Sequence, residues 1–337
     1  MTASPAASAT PKFLWMDGRL VPWAEASVHP SRLGWSTIGA VFEGIKAYWN
    51  PSAVPSGETP SSGQAEVQGE LYGWQFAEHY RRFQQSMRLE RMRPEFTPEQ
   101  LVEASCELLR ANECRGDTYV RPLAWHPDVT WFGHNEESRT GIVITTAPFT
   151  SILGTGKAIR ACVSSWTRVG DNQLSPRIKC LSNYQNSRKA LLEAVLDGYD
   201  QPIILNLQGK VTEGPASCVF IVRDGVVITP ALTSGILESI TRTAVLRLCR
   251  EELGIPAEER EVDRTELYVA EEIFFCGTGA EITPVGEVDH YKVGDGGVGP
   301  ITARIERLFH DVVRGRHSGY GDWRIPIYEG AKVPATV

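Results

Sequence analysis

Lys179 has the clearest route to covalent chemistry in this chain. It stands between an irregular stretch and the expected start of a helix, with Ile178, Cys180 and Leu181 around it. An amine in so apolar a setting is expected to lose part of its proton affinity and to act as a Schiff-base nucleophile or general base. Taken alone it also reads as an ordinary surface lysine. Glu213 follows Val211-Thr212 and precedes Gly214-Pro215, so it is an acid at a strand end beside a tight turn, suited to a site or to plain surface. Gly277-Thr278-Gly279 offers small residues and open backbone N–H groups after a strand, either a cradle for a phosphate or carboxylate or a simple turn. Ser239-Ile240-Thr241 opens a helix, and helix N-termini favour anions where they are not merely capped.

Other chemistries find no support. HExxH, Walker A, GxSxG and dinucleotide fingerprints are absent, and the seven histidines lie far apart with no metal-ligand spacing, so no metal is expected. The seven cysteines are dispersed and form no CxxC pair, which argues against a disulfide scaffold and for a reducing, cytoplasmic setting. A net charge of −7 speaks against nucleic acid as a partner. The first twelve residues lack an apolar h-region, and no run reaches the roughly 18 apolar residues of a membrane span, so a soluble protein without a signal peptide is expected.

The length of 337 residues favours two domains over one. Residues 1–12 read as a disordered tail. Asp17-Gly18 is a hairpin turn, 38–48 reads as one strand, and 50–69, rich in Pro, Ser and Gly, reads as a floppy tip before a strand at 71–74. A helix follows over 75–92, and Thr97-Pro98-Glu99-Gln100 starts a second with a capping box and proline at its first position. Strands at 118–125 and 141–147 complete a first domain over 13–150, and 151–157 is the linker. The second domain, 158–337, is expected to hold strands at 159–165 and 270–275, hairpins turning at Gln208-Gly209 and Asp224-Gly225, and helices at 182–196, 237–253 and 301–313. Two α/β or α+β domains with a cleft between them follow.

Several weak signals recur together in one order. Val41-Phe42-Glu43-Gly44-Ile45-Lys46-Ala47-Tyr48, Glu78-His79-Tyr80-Arg81-Arg82-Phe83, Tyr119-Val120-Arg121-Pro122, Lys179-Cys180-Leu181-Ser182-Asn183-Tyr184, Glu213-Gly214 and Cys276-Gly277-Thr278-Gly279-Ala280-Glu281-Ile282-Thr283-Pro284-Val285 closely resemble successive segments of the branched-chain amino-acid aminotransferases. These are class IV aminotransferases, the fold type IV pyridoxal-phosphate enzymes. Gly299-Pro300-Ile301-Thr302 extends the likeness, which covers roughly residues 13–326. The resemblance implies a smaller N-terminal α/β domain, a larger C-terminal domain around a barrel-like sheet, pyridoxal 5'-phosphate (PLP) in the interdomain cleft, and a homodimer or a larger assembly of dimers.

Residue roles follow from the same likeness. Lys179 would carry PLP as a Schiff base and then move the substrate proton. Glu213 would pair with the pyridine nitrogen, and Tyr184 would hydrogen-bond the phenolic oxygen. Arg82, the backbone of Ile240 and Thr241, and Thr278 would hold the phosphate. Phe42, Tyr119 and the Thr278-Gly279 backbone would bind substrate, with Arg121 meeting the distal carboxylate of glutamate. The activity implied is transamination between a branched-chain or related hydrophobic or unusual L-amino acid and 2-oxoglutarate. A D-amino-acid or (R)-amine transaminase, an aminodeoxychorismate lyase and a non-catalytic PLP-binding protein are the alternatives, and VFEGIKAY with Tyr119-Val120-Arg121 leans away from the D-amino-acid and (R)-amine transaminases.

Departures from the family pattern concern the substrate. Thr37 and Ile38 stand where a tyrosine and glycine are usual, and Ser138 stands at a second tyrosine position, which removes two large rings from the pocket. Glu238 beside a phosphate site is expected to point away. The segment Gly214-Pro215-Ala216-Ser217-Cys218-Val219-Phe220 lacks the family's acid–amide pair.

Overall fold

The computed structural model describes residues 10–53, 69–129, 131 and 138–329. Most of the expected N-terminal tail, and most of the expected tip at 50–69, lie outside these residues. Among the described residues the chain forms two eight-stranded sheets. The first begins with β1 (Phe13–Met16) and β2 (Arg19–Pro22), paired through the Asp17-Gly18 turn. A short helix α1 (Trp35–Ile38) then leads to β3 (Val41–Phe42) and β4 (Ile45–Asn50). β5 (Glu70–Trp74), β6 (Thr118–Trp125) and β7 (Gly141–Pro148) follow, with α2 (Phe76–Leu89) and α3 (Pro98–Ala111) packed on the sheet. Thr97 and Gln100 close the capping box of α3, as the sequence signature requires.

One expected element splits. Residues 38–48 are the end of α1, a two-residue strand and a longer strand, because Glu43-Gly44 breaks the pairing. β3 pairs with the far half of β6, Val41 opposite Ala124, while β4 pairs with its near half, Ile45 opposite Val120. Glu43 turns inward, and a Cβ on Gly44 would overlap the Tyr119 hydroxyl. The glycine therefore lets Tyr119 lie against the backbone.

The second sheet contains β8 (Ile159–Thr167), β9 (Gln201–Leu205), β10 (Cys218–Arg223), β11 (Val226–Thr229), β12 (Ala257–Glu259), β13 (Glu272–Gly277), β14 (Glu281–Val288) and β15 (Tyr291–Lys292). Its central path runs β10-β13-β14-β8-β9. Residues 211–213 then bridge its two ends, Val211 to Leu205 of β9 and Glu213 to Cys218 of β10, so the sheet curls into the expected barrel-like form. α4 (Leu181–Leu196), α5 (Ile240–Glu251) and α6 (Pro300–Val313) cover it, with Gly198 at φ 84° just beyond α4. The last strand, β16 (Arg324–Pro326), returns to the first sheet and pairs with β5, where buried Glu70 accepts the N–H groups of Ile327 and Tyr328. The sequence reading contained no such return. No described helix is long and apolar enough to cross a membrane.

Candidate active site

Lys179 is set by backbone contacts to the β3 segment of the first sheet. The N–H of Phe42 donates to the Lys179 carbonyl at 2.9 Å, and the N–H of Leu181 donates to Ala40 at 2.9 Å, so β3 runs along the start of α4. The Lys179 N–H reaches Ser86 Oγ of α2 at 3.1 Å. Its side chain enters a cavity between the sheets, where Nζ donates to the Tyr184 hydroxyl at 2.6 Å and lies 4.6 Å from the centre of the Phe42 ring. Tyr184 sits in the first turns of α4, and its ring meets Phe42 edge-on at 4.9 Å.

The sequence expectation of a lowered lysine proton affinity is corrected here. Burial does lower it, but the Tyr184 oxygen and the Glu43 carboxylate outweigh burial and raise it above the ordinary value. Glu213 faces the same cavity. Arg168 lies 2.7 Å from one of its oxygens, and the other accepts the N–H of Leu237 at 3.1 Å. Burial pushes the Glu213 carboxyl upward in spite of the Arg168 charge.

Arg82 comes from α2, and a buried fork aims it. Its Nε and Nη2 grip the two oxygens of Glu43 at 2.7 and 2.8 Å, and Nη1 donates to the Glu238 carbonyl at 2.8 Å. His79 Nδ1 is 2.8 Å from the same carboxylate. Burial would raise Glu43, but Arg82 and His79 hold it at about 2, so it is a permanent anion. The guanidinium is thereby fixed beside the start of α5. There Ser239 accepts the Arg242 N–H at 3.2 Å, and the first-turn N–H groups of Ile240 and Thr241 have no intrahelical partner. Glu238 turns its carboxylate to exposed Arg177 at 2.8 Å, which removes it from this anion-favouring corner as expected.

On the opposite wall Tyr119 places its hydroxyl against Gly44, and Thr278 and Gly279 form the hairpin loop between β13 and β14. Gly277 just before that loop is pressed to the Ala216 carbonyl and Ser217 so closely that a Cβ would strain the contact. Phe42, Arg82, Tyr119, Lys179, Tyr184, Glu213, Ile240, Thr278 and Gly279 all line one cavity. Thr241 is buried in the first turn of α5 without lining it. Arg121 is exposed, on the same face of β6 as Tyr119, does not line the cavity, and has no ion pair among the described residues. Thr37 and Ser138 also stand outside the lining.

Arg168, Ser217, Cys218 and Leu237 line the cavity too, and the sequence reading assigned them no role. Arg168 follows β8 in no recognisable motif. Only the unusual burial of a guanidinium marks it, and a sequence does not display burial. The assembled groups suit a carbonyl ligand with an anionic arm. They comprise one amine, a phenol in hydrogen-bonding contact with it, a buried acid, and an arginine beside a helix start. An amine can take a carbonyl, an arginine beside a helix start can take an anion, and a buried acid can pair with a protonated group.

Comparison with known proteins finds relatives of one kind. The model of the amino-transferase class IV family matches residues 58–288. A probable branched-chain-amino-acid aminotransferase of Aquifex aeolicus is 39% identical over 317 residues, 94% of this chain and 97% of that protein. The branched-chain-amino-acid aminotransferase of Escherichia coli K12 is 34% identical over 92% of this chain and 96% of its own length. Among solved structures, the PLP form of the Thermobaculum terrenum branched-chain amino acid aminotransferase is 45% identical with a TM-score of 0.88, covering 94% of this chain and 99% of that one. The branched-chain aminotransferase of the archaeon Thermoproteus uzoniensis, solved with norvaline, is 36% identical with a TM-score of 0.83, over 94% and 100%.

Proposed function

Because the chain belongs to the class IV aminotransferase family, we propose that it moves an amino group between a branched-chain or related hydrophobic L-amino acid and 2-oxoglutarate, with PLP as cofactor. The cofactor, when bound, supplies a carbonyl for amines and a ring that accepts the electron pair released at the substrate Cα. Lys179 would hold that carbonyl and, as a free amine, would carry the proton at Cα. Tyr184, 2.6 Å from Nζ, accepts a hydrogen bond from the amine and orients it, and would hydrogen-bond the cofactor's phenolic oxygen. Glu213 would pair with a proton-bearing ring nitrogen, and Arg168, 2.7 Å away, keeps that carboxylate oriented. Arg82 and the start of α5 would bind the phosphate.

Tyr119 and the backbone at Thr278-Gly279 hold the substrate α-carboxylate. Arg121, exposed two residues beyond Tyr119 on the same face of β6 and free of ion pairs among the described residues, would meet the distal carboxylate of glutamate or 2-oxoglutarate. Exposed apolar side chains in and before α1, Leu33 at 60%, Trp35 at 41% and Ile38 at 53%, support association with a second copy of the chain.

The observation that carries this reading is Lys179 Nζ held between Tyr184 and Phe42 with Glu213 across the same cavity. Visible absorption of the purified protein tests it. A yellow band should convert on titration with L-glutamate and with L-leucine, L-isoleucine or L-valine. A band answering glutamate but no branched-chain donor refutes the donor class. No band after PLP is added refutes the site.

A further inference from the structure

Glu281 takes a backbone conformation that glycine usually holds. β13 and β14 are joined by the three residues Thr278, Gly279 and Ala280, and Glu281, the first residue of β14, has φ 49°. Three-residue hairpin loops need such a left-handed residue, and a non-glycine there persists only where its surroundings over-determine it. Its surroundings do. The buried Glu281 carboxylate accepts Ser151 Oγ at 3.0 Å and the Ile152 N–H at 2.7 Å from the segment joining the two sheets. Lys46 of β4 lies 3.3 Å away, with both side chains almost wholly buried, and its Nζ is 3.9 Å from the centre of the Phe149 ring. Lys46 is the direct cross-strand partner of Tyr119.

We infer that Lys46 and Glu281 are positioning residues for the substrate carboxylate. They tie the Thr278-Gly279 loop of one domain to the Tyr119 strand of the other, so that the hydroxyl and the loop N–H groups converge on one anion. Neither residue lines the cavity, so each acts through its neighbours. This inference rests on the reading of Tyr119, Thr278 and Gly279 as the carboxylate site. The tie makes the geometry of that site depend on how the two domains sit together, with the linker held at the same carboxylate.

The test uses holoenzyme with Lys46→Met, Glu281→Gln and Lys46→Arg. The readouts are kcat and KM for L-leucine and the dissociation constant of 4-methylpentanoate, a carboxylate without an amino group, followed by the cofactor absorbance. Misplacing a binding group by about an ångström costs up to about a hundredfold, so Lys46→Met and Glu281→Gln should each weaken 4-methylpentanoate and raise KM about ten- to a hundredfold. Their cofactor spectrum and kcat should stay near wild type, and Lys46→Arg should restore most of the affinity. If a single substitution fails to fold, the apolar double variant Lys46→Met/Glu281→Leu carries the same readouts, since replacing both members of a buried pair is better tolerated than removing one. Unchanged affinity, or a loss shared equally by cofactor binding and kcat, overturns the inference. Failure of the parent protein to react with any amino acid overturns the functional reading instead, and the two failures are distinguishable because the first appears only in the variants.

Discussion

Arg168→Met separates the burial of Glu213 from its charge partner. The two side chains are 2.7 Å apart and only 5% and 6% exposed, and Arg168 also donates to Ser187 at 3.1 Å. Removing one member of a buried pair leaves the other charge uncompensated, at a cost of about 3–5 kcal/mol. In the variant Glu213 keeps the Leu237 N–H at 3.1 Å. Burial already raises this carboxyl against the opposing guanidinium, so its proton affinity must rise further once that charge is gone.

The sign of the pH dependence follows. Below the ordinary glutamate range both the folded and the unfolded carboxyl carry a proton, and Glu213 exacts no penalty. As pH rises, the unfolded chain releases its proton first, and the folded state is penalised by about 1.4 kcal/mol for each unit of added difference, until pH passes the folded value. Urea unfolding of cofactor-free protein at about pH 5 and about pH 8 measures this linkage. The gap between wild type and Arg168→Met should be clearly larger at the higher pH. A gap equal at both values within about 0.5 kcal/mol, or below about 1 kcal/mol at the higher pH, refutes the argument that Arg168 neutralises a buried carboxylate.

Further consequences are simpler. Arg121→Met should raise KM for 2-oxoglutarate and glutamate about ten- to a hundredfold, the worth of about 1.5–3 kcal/mol for a charged hydrogen bond, and leave KM for leucine nearly unchanged; parallel losses for both would place Arg121 outside the substrate. Glu43, held at about 2, contributes stability that is present above the usual glutamate range and lost as pH falls toward 2. Glu43→Gln should therefore be destabilised at neutral pH and converge on wild type in acid melts, with PLP affinity falling because Arg82 loses its fork. Thr97→Ala should cost about 1 kcal/mol through the lost cap of α3, measured by thermal melting, and leave KM untouched.

Local rules made most of the elements legible. The Asp17-Gly18 turn, the Thr97 box and the glycine beyond α4 each act within a few residues, and each lies where the residues demanded it. The break at Glu43-Gly44 was not legible, because its cause is remote: Arg82 and His79 draw the carboxylate inward, and Tyr119 occupies the space of a Cβ. β16 escaped for a similar reason. Three residues of no marked pattern join β5, some 250 positions earlier in the chain, and only Glu70 shows why they stay. The cavity was legible through the ordered motif likeness rather than through chemistry alone, since Lys179 by itself fits an ordinary surface lysine better than a catalytic one. Lys179 also shows where a local argument fails. Its apolar neighbours in sequence suggested a weakened base, whereas Tyr184 of α4 and Glu43 in the break between β3 and β4 reverse the sign.

That reversal bears on how such a site works. A cavity containing Lys179, Arg82 and Arg168 gathers positive charge in a dry place, and without compensation the cations would depress one another. Glu43 and Glu213 divide the task of preventing this. Glu43, gripped by two donors, is a fixed anion that orients Arg82 and sustains the lysine's charge. Glu213, with its proton affinity raised by burial, is left responsive to whatever bears a proton beside it. Two carboxylates of one residue type thus differ, because one is gripped by Arg82 and His79 on both oxygens and the other meets a single guanidinium and one backbone N–H. Exchanging their surroundings, as Arg168→Met begins to do for Glu213, should therefore damage binding and chemistry in different proportions.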